Sequence, residues 1–272
     1  MAHIQSTAYG ETRLRLLRVL RRGDRHDPKD VTVSLRLEGG DVLPPEPLKN
    51  AVYRVARAQH FPEIETLALA IADAILAQFP QVTLARVEAS EQVWVRLEAG
   101  GKAQGQAFAP GSGERRTAVI ATNGQQTSVT AGIENLVVMR TCGFGTPQGS
   151  LAAADAQPES VQPLLVAALS ARWSYGSGEI AFATYRQGVR AAVLETFVWH
   201  AAHSLQHTLS GVAEVILDSY AEIVSVTLSA EERPYRPTDF LSLDADQLYT
   251  ARDEPLGIVE VTVARDRPAA GM

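Results

Sequence analysis

Three histidines, His200, His203 and His207, stand at i, i+3 and i+7, a spacing that lines them along one face of a helix. Imidazole nitrogens so placed could hold a zinc ion. The run from His200 to Leu209 offers no carboxylate to complete such a site, and no metal is expected. Gln206 lies in the same run. Its amide carries one acceptor and two donors, which suits it to a polar ligand edge. A helix glutamine that caps a neighbouring strand would need no ligand, and both readings stand open. Cys142 is the only cysteine, which excludes an intrachain disulfide framework and a cysteine zinc site. Nothing around it in sequence would lower its pKa into the reactive range. Trp94, Trp173 and Trp199 read as core or interface residues.

The elements that must position these groups follow from hydrophobic period. Arg13 to Leu16 and Val31 to Leu37 alternate as strands do, and Gly23 to Pro28 between them is turn chemistry. Gly39 and Gly40 close this hairpin, and Pro44, Pro45 and Pro47 form an extended connector. Helical spacing begins near Leu48. From Glu63 onward Ile64, Leu67, Ala68, Ile71, Ile75 and Phe79 form one apolar stripe, which Pro80 ends. Strand period returns at Val82 to Val87, Val93 to Leu97, Arg116 to Thr122 and Thr127 to Ile133. The last two are joined at Asn123-Gly124, and Leu136 to Met139 extends the sheet. Residues 142–160, rich in Gly, Pro, Ala, Ser and Gln, read as a linker or loop. A strand from Leu164 to Trp173 follows. Helical patterning then covers Tyr185 to Tyr220 with a break near Ala201, and Ile223 to Leu228 and Gly257 to Arg265 close the order.

The second half echoes the first. Ala74 to Val82 aligns with Val215 to Ile223, an offset of 141 residues that carries Ile75 onto Ile216. Repeated order of helix, aromatic stop, turn and strand implies two α+β units, each an antiparallel sheet with helices on one face. The expected division is 1–141, a 142–160 linker, and 161–272. Open sheet edges in each unit call for pairing, so an oligomer is expected.

Composition is that of a globular protein, with 46% hydrophobic and 21% charged residues in 272. The net charge of −6 argues against a nucleic-acid partner. Arginines 13, 15, 18, 21, 22 and 25 are interrupted by acids and read as a solvated hairpin face. No apolar run approaches the ~20 residues that cross a bilayer. No targeting pattern is seen at either end, and the expected compartment is cytoplasmic.

Seven segments then appear in one order: Tyr9-Gly10, Leu48 to Tyr53, Arg115 to Val119, Gly132 to Val138, Glu195 to Phe197, Ser204 to Leu209 and Asp253 to Val259. Through them the chain resembles the urate oxidase family over nearly its whole length. The resemblance implies tandem T-fold (tunnelling-fold) domains assembled into a barrel-shaped homo-oligomer. It also implies cofactor-free oxidation of urate by dioxygen, giving 5-hydroxyisourate and hydrogen peroxide in purine catabolism.

In that family a lysine–threonine pair and a histidine move protons. An arginine and a glutamine grip the purine, and a phenylalanine stacks on it. The resemblance carries these roles onto positions that mostly cannot fill them. The lysine position is Glu11, the threonine position Pro45 and the adjoining aspartate Glu46. The asparagine and histidine fall in Ser229 to Arg233, and the arginine falls at Pro163. The stacking position is Thr146, with Phe144 two residues away as a substitute. Gln206 alone is retained.

Loss of one general base costs about 10²–10⁴ in rate. The expectation is a urate-oxidase-like protein with a degenerate site. It would be an assembly subunit, a homo-oligomer (dimer or tetramer) or partner of a paralogue, or a binder of another purine-like heterocycle. A working urate oxidase is the alternative. Glu11 and Glu46 could share a proton as a replacement base if buried together, though residues of an unused site need no such role.

Overall fold

The computed structural model describes residues 8–58, 61–141, 164–176, 180–199, 204–233, 235–237, 248–251 and 257–265. The chain divides into two compact units: residues 1–134 with 172–186, and 135–171 with 187–272.

In the first unit β1 (Ala8–Tyr9) and β2 (Leu14–Arg22) both pair with β3 (Arg25–Glu38), which continues antiparallel through β4 (Leu84–Ala99), β5 (Lys102–Thr122) and β6 (Thr127–Arg140). Alternation sorts the two faces. Val31, Val33, Leu35 and Leu37 of β3, Ala85, Val87 and Ala89 of β4, and Ala118 and Ile120 of β5 are buried. Against them lies α2 (Ile64–Gln78), which crosses β4 and β5, with α1 (Pro45–Ala58) beside it. Ile64, Leu67, Ile71 and Ile75 of α2 are 0–1% exposed, as the stripe requires. The alternate residues, Thr32, Ser34, Glu88, Ser90 and Thr117 among them, face away from the helices and line a cavity of about 330 Å3.

β7 (Leu165–Tyr175) and α3 (Phe182–Trp199) are each divided between the units, at Arg172 and at Gln187, and in the second unit α4 (Leu205–Ser219) packs on β8 (Ile223–Glu232) and β11 (Ile258–Ala264). β8 and β11 pair antiparallel from Ser225 with Ala264 to Glu231 with Ile258.

The repeat holds at the level of individual hydrogen bonds. At the end of α2 the Phe79 amide donates to Ile75 and the Val82 amide donates back to the Phe79 carbonyl, both at 2.9 Å. At the end of α4, Tyr220 donates to Ile216 and Ile223 to Tyr220, both at 3.1 Å. Phe79 (φ −125°, ψ 82°) and Tyr220 (φ −130°, ψ 96°) leave the helix in nearly one conformation.

Four sequence expectations change. The first turn is only Gly23-Asp24, because Arg22 pairs with Arg25 and the register continues to Val19 with Pro28. Val82 to Val87 and Val93 to Leu97 belong to one strand, β4, whose register shifts between Gln92 and Trp94. Such a bulge moves the alternation by one residue and makes one strand read as two. β5 begins at Lys102, fourteen residues before the apolar alternation at Arg116. A small ladder of β9 (Tyr235–Pro237) and β10 (Tyr249–Ala251) was not foreseen.

Candidate functional site

Each candidate residue is set by the element that carries it. Ser204 caps α4: its Oγ accepts from the His207 amide at 3.2 Å, and its carbonyl accepts from the Thr208 hydroxyl at 3.3 Å. That cap places Gln206 in the first turn of α4, exposed to solvent, while Leu205, Thr208 and Leu209 turn inward. Among the described residues its side-chain amide makes no hydrogen bond; the bond it does receive, from Ser210, goes to its backbone carbonyl at 3.1 Å. A free amide beside the positive end of a helix dipole is suited to an electron-rich ligand edge. The strand-capping alternative finds no support in these contacts.

Glu11 follows β1 in the stretch before β2, partly buried, and its carbonyl accepts from Leu35 at 2.6 Å. Pro45 opens α1, where a missing N–H costs nothing because first-turn amides have no helical partner. Glu46 stands next to it with its side chain 77% exposed, 3.5 Å from Lys49 one turn on. No contact joins Glu46 to Glu11 among the described residues, and Glu46 is not a buried carboxylate. Ser229 to Glu232 lies in β8. Ala230 there is fully buried opposite Val259 of β11, and Arg233 donates to the Asn135 side chain at 3.3 Å.

Phe144, Thr146, Cys142, Pro163, His200 and His203 lie outside the described residues. His207 is exposed on α4, and no group of three metal-ligating side chains occurs among the described residues.

Two polar constellations in the first unit were not anticipated, because each joins residues far apart in sequence. In one, Arg15 grips Asp30 bidentately, Nε to Oδ1 at 3.1 Å and Nη2 to Oδ2 at 2.8 Å, and Trp94 Nε1 donates to Oδ2 at 3.2 Å. Asp30 is only 4% exposed. The Arg15 hydrogen bonds hold its carboxyl below the usual range, with burial opposing and Trp94 assisting.

In the other, Arg186 of α3, itself buried, meets Glu63 and lies 3.8 Å from Glu65. Burial pushes the Glu65 carboxyl upward; its backbone hydrogen bond and Arg186 counter this, and the charges of Glu63 and Glu91 add to it. Tyr175 stands near, hydrogen-bonded by Trp173 Nε1 at 2.7 Å, its phenol raised chiefly by burial. Trp173 is thus a core residue, 1% exposed, whereas Trp199 is 74% exposed.

Comparison with known proteins agrees with this architecture. The Uricase family model matches residues 129–260, a span that includes Gln206. The uricase of Arthrobacter globiformis is 28% identical over 275 residues, covering 95% of this chain and 88% of that protein. The uricase of Danio rerio is 24% identical over 286 residues, covering 98% and 96%. The crystal structure of the Arthrobacter globiformis uricase superposes with a TM-score of 0.84 at 27% identity, covering 100% of this chain and 98% of that one. The Bacillus sp. TB-90 urate oxidase has the same fold, with a TM-score of 0.79 at 16% identity. The fold is therefore α+β, of the tandem T-fold type, and the chain is similar to the uricases (urate oxidases) over nearly its whole length.

Proposed function

We propose that this chain is a urate-oxidase-like protein that keeps the purine-gripping glutamine but does not oxidise urate on its own. The observation that carries this reading is the start of α1. The residue at the family's threonine position is Pro45, which has neither hydroxyl nor N–H, and its neighbour Glu46 is directed to solvent and Lys49. Glu11 adds a carboxylate where the family uses an ammonium, opposing an anionic urate. With both partners of the proton-moving pair altered, substrate deprotonation loses at least the 10²–10⁴ that one general base supplies.

The chain then acts as an assembly subunit or as a binder of another purine-like heterocycle in the cytoplasm. It forms a homo-oligomer or pairs with a paralogue. The exposed edge strand β11, with Ile258 68% exposed, supports assembly.

The test is a single preparation of the pure chain. Its mass in solution is measured by light scattering. Urate is followed by ultraviolet absorbance in air, with peroxide assayed in parallel, and urate, xanthine and 8-azaxanthine are screened by thermal shift. We expect an oligomer, no turnover above background, and any ligand stabilisation removed by Gln206→Ala. Urate-dependent peroxide that disappears in Gln206→Ala would establish an ordinary urate oxidase instead.

A further inference from the structure

The polar face of the first unit's sheet holds a second cavity, of about 390 Å3, whose lining includes none of Gln206, Pro45 and Glu46. Arg13, Arg15 and Arg115 line it together with Thr32, Ser90 and Gln92, and Asp30 forms its floor. Register explains the gathering: Arg15 lies opposite Thr32, Thr32 opposite Ser90, and Gln92 opposite both Asp30 and Arg115. Three guanidiniums therefore converge from β2, β5 and the stretch before β2.

The charges do not cancel. Asp30 is spent on Arg15 and Trp94, and this grip fixes the Arg15 fork while leaving its other amino group, Nη1, to donate elsewhere. Arg13 and Arg115 have no ion-pair partner among the described residues. Glu134 stands opposite Arg115 across the β5–β6 ladder without pairing with it. On the same face, Arg86 and Glu88 neutralise each other at 2.9 Å. The cavity thus keeps a surplus of two positive charges.

Arg13 is also one of two non-glycine residues with a left-handed backbone among the described residues, at φ 62°, held by its amide donating to Ser34 Oγ at 3.1 Å. Strain of this kind persists where surrounding structure enforces it, often at ligand sites.

We propose that this cavity binds a phosphoryl oxyanion. Guanidinium forks match the paired oxygens of a phosphate. Two surplus positive charges match a dianion, and the Thr32 and Ser90 hydroxyls supply neutral donors. The site is independent of the purine-gripping residues, and its test does not depend on urate chemistry.

Calorimetric titration at low ionic strength compares inorganic phosphate, glycerol phosphate and citrate on three proteins. These are the unaltered chain, the Arg13→Gln/Arg115→Gln double variant, and an Arg54→Gln/Arg57→Gln control that removes the same charge from α1. Both altered pairs are exposed, and circular dichroism checks the fold. Phosphate or glycerol phosphate should bind the unaltered chain and the control alike, and the double variant at least tenfold more weakly. Tighter inorganic phosphate identifies the free ion, and tighter glycerol phosphate identifies the phosphate of a metabolite. Equal affinity of the double variant, an equal loss in the control, equal binding of citrate, or no binding at millimolar phosphate overturns the proposal.

Discussion

Replacing Arg186 with leucine removes the only positive charge in contact with Glu63 and Glu65 among the described residues. The Glu63 and Glu65 side chains are 15% and 1% exposed, so neither carboxylate recovers solvent when its partner goes. Breaking a buried pair from one side costs about 3–5 kcal/mol. With a urea dependence of roughly 3 kcal/mol per molar for a chain of this size, the unfolding midpoint falls by on the order of 1 M.

The loss depends on pH, and its sign follows from Glu65. Its folded pKa is raised above the unfolded value. Its favourable contribution is therefore complete below the unfolded pKa and disappears as pH rises through the folded one. Removing Arg186 raises the folded pKa further, so the variant suffers more near pH 8 than near pH 5. Urea unfolding of Arg186→Leu at both pH values, and of Arg186→Leu with Glu65→Gln, completes the experiment. The second substitution should restore much of the loss at the higher pH. A midpoint shift that is equal at both pH values, or that Glu65→Gln does not relieve, would refute the reasoning.

Two further outcomes are expected. Gly188 sits within α3, where alanine would ordinarily add about 1 kcal/mol of helix stability. A methyl there would instead fall 1.7 Å from the Tyr220 hydroxyl, so Gly188→Ala should lower stability by about 1–3 kcal/mol, and adding Tyr220→Phe should recover part of it in thermal unfolding. Asp30 has a lowered folded pKa, so its contribution is present above the unfolded pKa and is lost as pH falls through the folded one. The melting-temperature gap between the unaltered chain and Asp30→Asn should thus narrow below about pH 4, and a gap that stays constant from pH 7 to pH 3 would contradict this.

Sequence showed most where one period ran unbroken. The α2 stripe, the end of α4 and the repeat were legible because burial repeats every three or four residues with a stop at Phe79 or Tyr220. The long β4–β5 hairpin was obscured by the bulge after Gln92 and by the polar run from Lys102 to Gly113. Side chains anchored elsewhere hold that run in place: Arg96 donates to the Gly105 carbonyl at 2.8 Å and covers the Phe108 ring at 5.0 Å. At the candidate site, Gln206 could be placed on its helix from local motif alone. The Arg15–Asp30–Trp94 and Glu63–Arg186–Glu65 groups could not, since no local spacing marks partners brought together only by folding.

The two copies of the repeated helix differ at their starts. Ser204 closes the second helix with its own side chain, whereas Glu63 makes no such cap and reaches Arg186 instead. The later copy carries its initiation signal within four residues of chain, while the earlier one draws on a residue 123 positions downstream, from Glu63 to Arg186. During synthesis, therefore, the earlier helix leaves the ribosome with its first turn unsecured and gains its anchor only after the duplicate half has begun to emerge.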